Sequence, residues 1–257
     1  MRAQGIDISH YQRAYVPMEH QSFVVIKASD GIHKNYMFEQ HLENAADVAY
    51  VGAYHYLRSD YDIDEQIARF VDIALHVDFV ACDFEGNMNS PSAKFARNAE
   101  RFCKEVADKK GLPCLLYSSP KYIQEWMFQY GVYWVREYPD LWIAQWPYYG
   151  WNDRLLEVPD ESKGWAPRLP AGCTEWRMWQ YSADGNRQGM INGVTSPDVD
   201  LDVFNGSADD MDDWLNKQEP EPEPEVIGML GDVYVHSWLQ DSEGVEIVIR
   251  GEYEEDA

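Results

Sequence analysis

Eight short β-rich runs recur along the first two hundred residues, and helical patterns fill several of the gaps between them. The runs are Gly5–Ser9, Phe23–Ser29, Val51–Leu57, Phe79–Glu85, Pro113–Ser118, Leu141–Trp146, Arg177–Ser182 and Val199–Phe204. Tyr36–Tyr50 and Asp62–Leu75 carry apolar residues at helical spacing. Pro91–Lys110 has Ser90 before its first proline and Gly111 after its last lysine, a good start and a good stop. Pro120–Tyr130 reads as a shorter helix. Strands alternating with helices predict a parallel β/α barrel. Residues 147–176, rich in Pro, Gly and Trp, and residues 183–198 leave no room for regular helices. The expectation is therefore an incomplete TIM-like α/β barrel with eight strands and full helices mainly in its first half.

A final helix is expected over Asp209–Lys217. Then comes Glu219-Pro220-Glu221-Pro222-Glu223-Pro224-Glu225. Alternating Glu and Pro suits neither a helix nor a central strand. It extends by polyproline geometry and self-repulsion, as a semi-rigid linker does. The expected organisation is a barrel at 1–217, a linker at 218–225 and a small acidic β-hairpin module at 226–257. In the last of these, Asp232–Leu239 and Val245–Gly251 alternate like two strands. A lone hairpin is marginal in water, so this module is a candidate for pairing with a second copy, making a homo-oligomer.

The formal net charge is -24. Residues 209–257 hold 16 acidic and 2 basic side chains, against 29 and 19 in the rest. That balance excludes nucleic acid as a partner, because such binding needs Lys and Arg on phosphates. No apolar run reaches transmembrane length, so no membrane insertion is expected. The start, Met1-Arg2-Ala3-Gln4-Gly5, has no apolar segment of the signal-peptide kind. Synthesis in a host cytoplasm without a signal peptide is the expectation. The four cysteines, Cys82, Cys103, Cys114 and Cys173, lack metal-ligand spacing and read as reduced thiols. No cofactor and no metal are called for.

Chemistry is concentrated at strand ends. Asp83-Phe84-Glu85 closes the apolar run Val80-Ala81-Cys82. Residues i and i+2 of a strand share a face, so two carboxylates meet at one spot. Glycoside hydrolysis needs such a pair: one acid protonates the leaving oxygen, and one carboxylate stabilises or attacks the developing cation. Asp7, between Ile6 and Ile8, and Asp200, between Val199 and Leu201, stand in the same phase. In a barrel, the first, fourth and eighth strands would bring Asp7, Asp83, Glu85 and Asp200 to one mouth. Crowded, half-buried carboxylates raise one another's proton affinity. Tyr54, Tyr117, Trp142 and Trp179 lie in or near strand ends and are expected as sugar-stacking walls. Lys27, on a face with Ser29, is placed to pair with a floor carboxylate. His10 and His55 are expected to make supporting hydrogen bonds. Asp198 and Asp202 are read as structural caps, outside the site.

The opening Gly5-Ile6-Asp7-Ile8-Ser9-His10-Tyr11-Gln12 resembles the first strand of glycoside hydrolase family 25, the lysozymes of the Chalaropsis type. The resemblance continues through Phe23–Gly31, Gly52-Ala53-Tyr54-His55-Tyr56, Asp83-Phe84-Glu85, Leu116-Tyr117-Ser118, Leu141-Trp142-Ile143-Ala144, Trp179-Gln180-Tyr181 and Val199-Asp200-Leu201. It implies a flattened β/α barrel with fewer than eight helices, and N-acetylmuramidase activity on bacterial peptidoglycan. Glu85 would be the general acid/base and Asp83 the stabiliser of the transition state, with Asp7 and Asp200 completing an acidic floor. It further implies a substrate-assisted retaining route. A phage or prophage endolysin, acting on the wall after release, fits this reading. Two positions depart from the pattern: Asp202 stands where Asn is common, and Trp146 where Tyr is frequent. The competing expectations are a non-catalytic wall-binding protein on the same fold, and a metal-dependent phosphoesterase.

Overall fold

The computed structural model describes residues 1–86, 92–146, 158–159, 161–183 and 189–216, together with the backbone of three strands within 225–249. The chain divides into two compact units, Met1–Gln218 and Glu219–Ala257.

The first unit is a closed barrel. Its strands are β1 (Gln4–Ile8), β2 (Phe23–Asp30), β4 (Tyr50–Tyr56), β5 (Phe79–Asp83), β6 (Cys114–Ser118), β7 (Leu141–Ala144), β8 (Met178–Ser182) and β9 (Asp200–Phe204). A two-residue strand, β3 (His33–Lys34), folds back on β2. Seven of the eight barrel strands run parallel, as expected. β9 does not: it is antiparallel to both β8 and β1, which corrects the all-parallel expectation. Asp200 is the second residue of the expected Val199–Phe204 run, so a parallel strand would hold it at the barrel's lower end. The reversal brings it to the upper rim, where it faces Asp7 across the register.

Five helices accompany the barrel among the described residues: α1 (Phe38–Asn44), α2 (Ile63–Ile73), α3 (Ala93–Lys110), α4 (Pro120–Trp126) and α5 (Ala208–Asn216). Local chemistry sets their ends. The Asp62 side chain caps the amides of Asp64 and Glu65 at the start of α2. Ser92 caps Phe95 at 3.1 Å to start α3. Ser90 and Pro91, expected to open this helix, lie outside the described residues. Gly111 closes α3 at φ 63°, a conformation only glycine adopts without strain. α1 is shorter than its apolar pattern, because the chain turns at Ala45 and enters β4 at Tyr50. Short 3-10 turns, Glu161–Lys163 and Gly189–Asn192, stand in the two gaps that the sequence left without helices.

The strands bury both faces. Outward residues such as Ile6, Ile8, Val80, Cys82 and Val203 pack against the helices. Inward residues Phe23, Val25, Phe79, Ala81, Leu115, Met178 and Phe204 fill the barrel's lower half. Met211 and Trp214 of α5 close the lower end against them. All four cysteines are free thiols.

In the second unit, β11 (Val233–Leu239) and β12 (Val245–Ile249) match the two expected runs. A further strand, β10 (Glu225–Leu230), pairs antiparallel with β11. A register irregularity between Val226 and Gly228 breaks its alternation, which hides it from a period-two reading.

Candidate active site

The upper half of the barrel is an open cleft of about 70 Å³, lined by Asp7, Tyr54, Asp83, Glu85, Tyr117, Trp142, Gln180 and Asp200. Strand parity builds it. Asp83 is level with Tyr56 on one side and Tyr117 on the other, and Tyr117 is level with Trp142. Asp7 is level with Asp200. The Tyr117 and Trp142 rings meet edge to face at 4.8 Å between centroids, and Tyr54 meets Trp142 likewise at 6.5 Å. Glu85 lies just past the end of β5, where both flanking carbonyls are held. Ser118 Oγ donates to Phe84 O at 2.7 Å and Tyr122 OH to Gly86 O at 3.0 Å. A Cβ at Gly86 would stand 2.1 Å from the Tyr56 hydroxyl, so glycine is required there for the backbone to pass.

The carboxylates differ in surroundings. Asp83 is 5% exposed, and its Oδ1 meets no hydrogen-bond partner among the described residues. Burial, reinforced by the charge of Glu85, pushes its carboxyl well above the ordinary range, while Lys27 pulls it back. Glu85 stands exposed at the rim. The surrounding protein still desolvates it, and with Asp7's charge this moves its carboxyl upward, against Lys27. Burial raises Asp7 to about 6, opposed by a hydrogen bond from Gln180. A carboxylic acid kept protonated near neutral pH is what a general acid requires.

Seven of the eight residues expected at the site line this cleft: Asp7, Asp83, Glu85, Asp200, Tyr54, Tyr117 and Trp142. Trp179 does not. Met178 and Gln180 take the inward positions of β8, which turns Trp179 outward into the helix-facing core. There its indole donates to Gln145 O at 2.7 Å. The inward neighbour, Gln180, is the residue missed. Its Nε2 donates to Asp7 Oδ2 at 2.7 Å, and its Oε1 accepts from Tyr117 OH and from Trp146 Nε1, each at 3.0 Å. A polar side chain between two aromatics in a buried strand was the available signal. Asp202, expected to be a cap, is instead a buried floor residue, accepting from Trp142 Nε1 at 2.8 Å.

Lys27 bonds to Asp30 at 3.1 Å rather than to a floor carboxylate. An irregularity in β2 between Lys27 and Ser29 separates their faces. Lys27 remains at the mouth, 4.5 Å from the centre of the Tyr56 ring. Ser29 turns outward to His55 Nδ1 at 2.8 Å, and His55 Nε2 reaches Gln66 at 3.2 Å. His55 therefore has the supporting role expected of it. His10 instead lies tilted against the Tyr11 and Tyr36 rings. Among the described residues, no group of three or more His, Cys, Asp or Glu is arranged to hold a metal ion.

A family model described as glycosyl hydrolases family 25 matches residues 6–190. The chain belongs to glycosyl hydrolase family 25. It is 27% identical over 220 residues to Lysozyme M1 of Streptomyces globisporus, covering 80% of this chain and 68% of the relative. Among solved structures, this family 25 enzyme is similar to a bacterial lysozyme from Streptomyces coelicolor (TM-score 0.67, 23% identity, 85% of this chain and 99% of that one). It is also similar to the catalytic domain of the endolysin ply40 from bacteriophage P40 of Listeria monocytogenes (TM-score 0.57, 21% identity, 85% and 97%). These likenesses are to the family's fold, a mixed α/β barrel closed by eight strands.

Proposed function

We propose that this family 25 glycoside hydrolase is an N-acetylmuramidase that cleaves the β-1,4 bond between N-acetylmuramic acid and N-acetylglucosamine in peptidoglycan. The observation that carries this reading is the Asp83–Glu85 pair. The two acids sit at one spot on an aromatic-walled cleft, one buried and short of a hydrogen-bond donor, the other exposed and reachable.

The division of labour follows from those surroundings. Glu85, at the rim with a raised proton affinity, protonates the glycosidic oxygen as the bond to C1 breaks. The carbonyl oxygen of the substrate's own 2-acetamido group closes on C1, giving an oxazolinium-like intermediate. Sugar binding draws Asp83 into its ionised form, its proton leaving to solvent; Oδ1 then accepts from the acetamido N–H and balances the positive charge. Glu85, now a carboxylate, takes a proton from water, which opens the ring with net retention. Asp7 and Asp200 hold the sugar hydroxyls, while Tyr54, Tyr117 and Trp142 form the walls. The similarity to the phage endolysin supports a lytic setting for the enzyme. In that setting the second unit, a three-stranded acidic sheet, would serve either wall attachment or self-association.

The test is mass spectrometry of muropeptides released from Gram-positive walls. Wild type should yield fragments with muramic acid at the reducing end. Glu85→Gln should lower the rate by about 10²–10⁴-fold, the usual contribution of general acid–base catalysis. No release by wild type, or full release by the variant, refutes the reading. The anomer first formed, read by NMR, separates retention from inversion.

A further inference from the structure

Asp202 is the one carboxylate of the floor that does not line the cleft, and its surroundings are unusual. It is 1% exposed. The β1–β9 register sets Asp202 opposite Gly5 and Asp200 opposite Asp7, so Asp202 lies diagonal to Asp7 on the inward face. Its Oδ1 is taken by Trp142 Nε1. Its Oδ2 is buried and meets no donor among the described residues. The side chain nonetheless interacts with the neighbouring Asp7 carboxyl. Asp7, itself 5% exposed, has its own Oδ2 filled by Gln180. Lys27, the cation whose charge reaches Asp83 and Glu85, is bonded to Asp30.

Two buried carboxylates in contact cannot both be ionised without a large penalty. We propose that Asp7 and Asp202 share a single proton carried by Asp202, which makes Asp202 a positioning residue that donates to Asp7 and fixes it in the floor of the cleft. This one proton accounts for both anomalies: it gives the unpartnered Oδ2 a role as donor, and it removes the repulsion between the two acids. Burial, ahead of the charges of Asp7 and Asp200, pushes the Asp202 carboxyl well above the ordinary range, while Asp7 reaches only about 6. The proton therefore sits on Asp202 and the charge on Asp7. The groups facing Asp202 are Asp7 from β1, Asp200 on its own strand and the Trp142 indole from β7; its charge also reaches the Tyr181 phenol on β8. Asp200 also touches Asp7 but is partly exposed, so water screens it. Loss of the shared proton at alkaline pH would set two buried charges against each other and loosen Asp7. An alkaline limb of activity follows.

The test uses the full chain and has two arms. In the first, infrared difference spectra at pH 7 compare wild type with Asp202→Asn. The pair should lose the C=O band of a protonated carboxyl and no carboxylate band. Loss of a carboxylate band with the protonated band intact overturns the proposal. Asp202→Leu gives the same readout should the amide variant fail to fold. The second arm rests on the muramidase reading and follows kcat/KM against pH. Asp202→Asn, whose amide still donates to Asp7, should stay within about twofold of wild type at acidic pH and move the alkaline fall upward by about one pH unit or more. Asp202→Leu, which cannot donate, should lose about tenfold or more, the order expected for one hydrogen bond to a charged group. Equal activity in both variants, or an unmoved alkaline fall, overturns the positioning role. If wild type cleaves no wall, the muramidase reading fails and the infrared arm still decides the shared proton.

Discussion

Replacing Gln180 by Leu removes the polar hub of the cleft while roughly keeping its volume. Three hydrogen bonds disappear. The 2.7 Å bond to Asp7 is charge-assisted and contributes about 1.5–3 kcal/mol. The Tyr117 hydroxyl, bonded at 3.0 Å on a side chain 7% exposed, would be left without its acceptor, at about 1–3 kcal/mol. Trp146 is 42% exposed, so its indole can turn to water at little cost. The Leu side chain regains about 1 kcal/mol from apolar burial. The net expectation is a loss of about 3 kcal/mol, measured by urea denaturation at neutral pH. A second readout is independent of stability. The Gln180 bond is the largest of the interactions holding Asp7's carboxyl down against burial. Without it, Asp7 should ionise above about 6, and the acid limb of the wall-cleavage profile should move upward. A variant within about 0.5 kcal/mol of wild type, a surface-like effect, would refute the hub. So would an unmoved acid limb.

Three further outcomes are expected. Gly52→Ala would set a Cβ at 2.4 Å from the Phe79 ring inside the barrel, costing about 1–3 kcal/mol by overpacking, seen as a lower Tm. Trp142→Phe keeps a ring on the wall but strips Asp202 of its indole donor, and should cost about 1–3 kcal/mol in denaturant melts. Burial depresses His55 to about 4 from 6.5, so the unfolded chain binds the extra proton. The stability of the neutral ring is full above pH 6.5 and lost as pH falls toward 4, about 3 kcal/mol at most. Asp7 has the opposite sign, losing stability as pH rises from 3.8 to about 6. The His55 contribution is therefore read as the difference between the pH–stability curves of wild type and His55→Asn, and parallel curves would refute it.

Most strand positions were legible because alternation is written directly into the side chains: Ile6-Asp7-Ile8 and Val80-Ala81-Cys82-Asp83 declare two faces each. Direction is not written there. A period-two pattern reads the same forwards and backwards, so nothing in Asp200-Leu201-Asp202-Val203 announces an antiparallel strand. Parity misassigned Trp179 for a related reason. An aromatic near a strand end suggested a sugar wall, yet the barrel turns the amide of Gln180 inward and the Trp179 ring outward. Asp202 was in phase with Asp200 throughout. What separates its role from a cap is the Trp142 indole, a partner sixty residues away that local spacing cannot supply. The β2 irregularity after Lys27 is likewise set by neighbouring strands.

The reversed β9 has a consequence for building with this enzyme. Because that strand descends while its neighbours ascend, the barrel begins and finishes at the same pole, the one opposite the cleft. The two ends are tied there, with Ala3 N bonded to Gly206 O at 2.8 Å and Phe204 N to Ala3 O at 2.9 Å. Ends so close together are the usual condition for circular permutation. A short linker joining them, with new termini opened elsewhere, would leave the catalytic rim uninterrupted. Cargo fused at either native end of the barrel would likewise attach on the side away from the glycan.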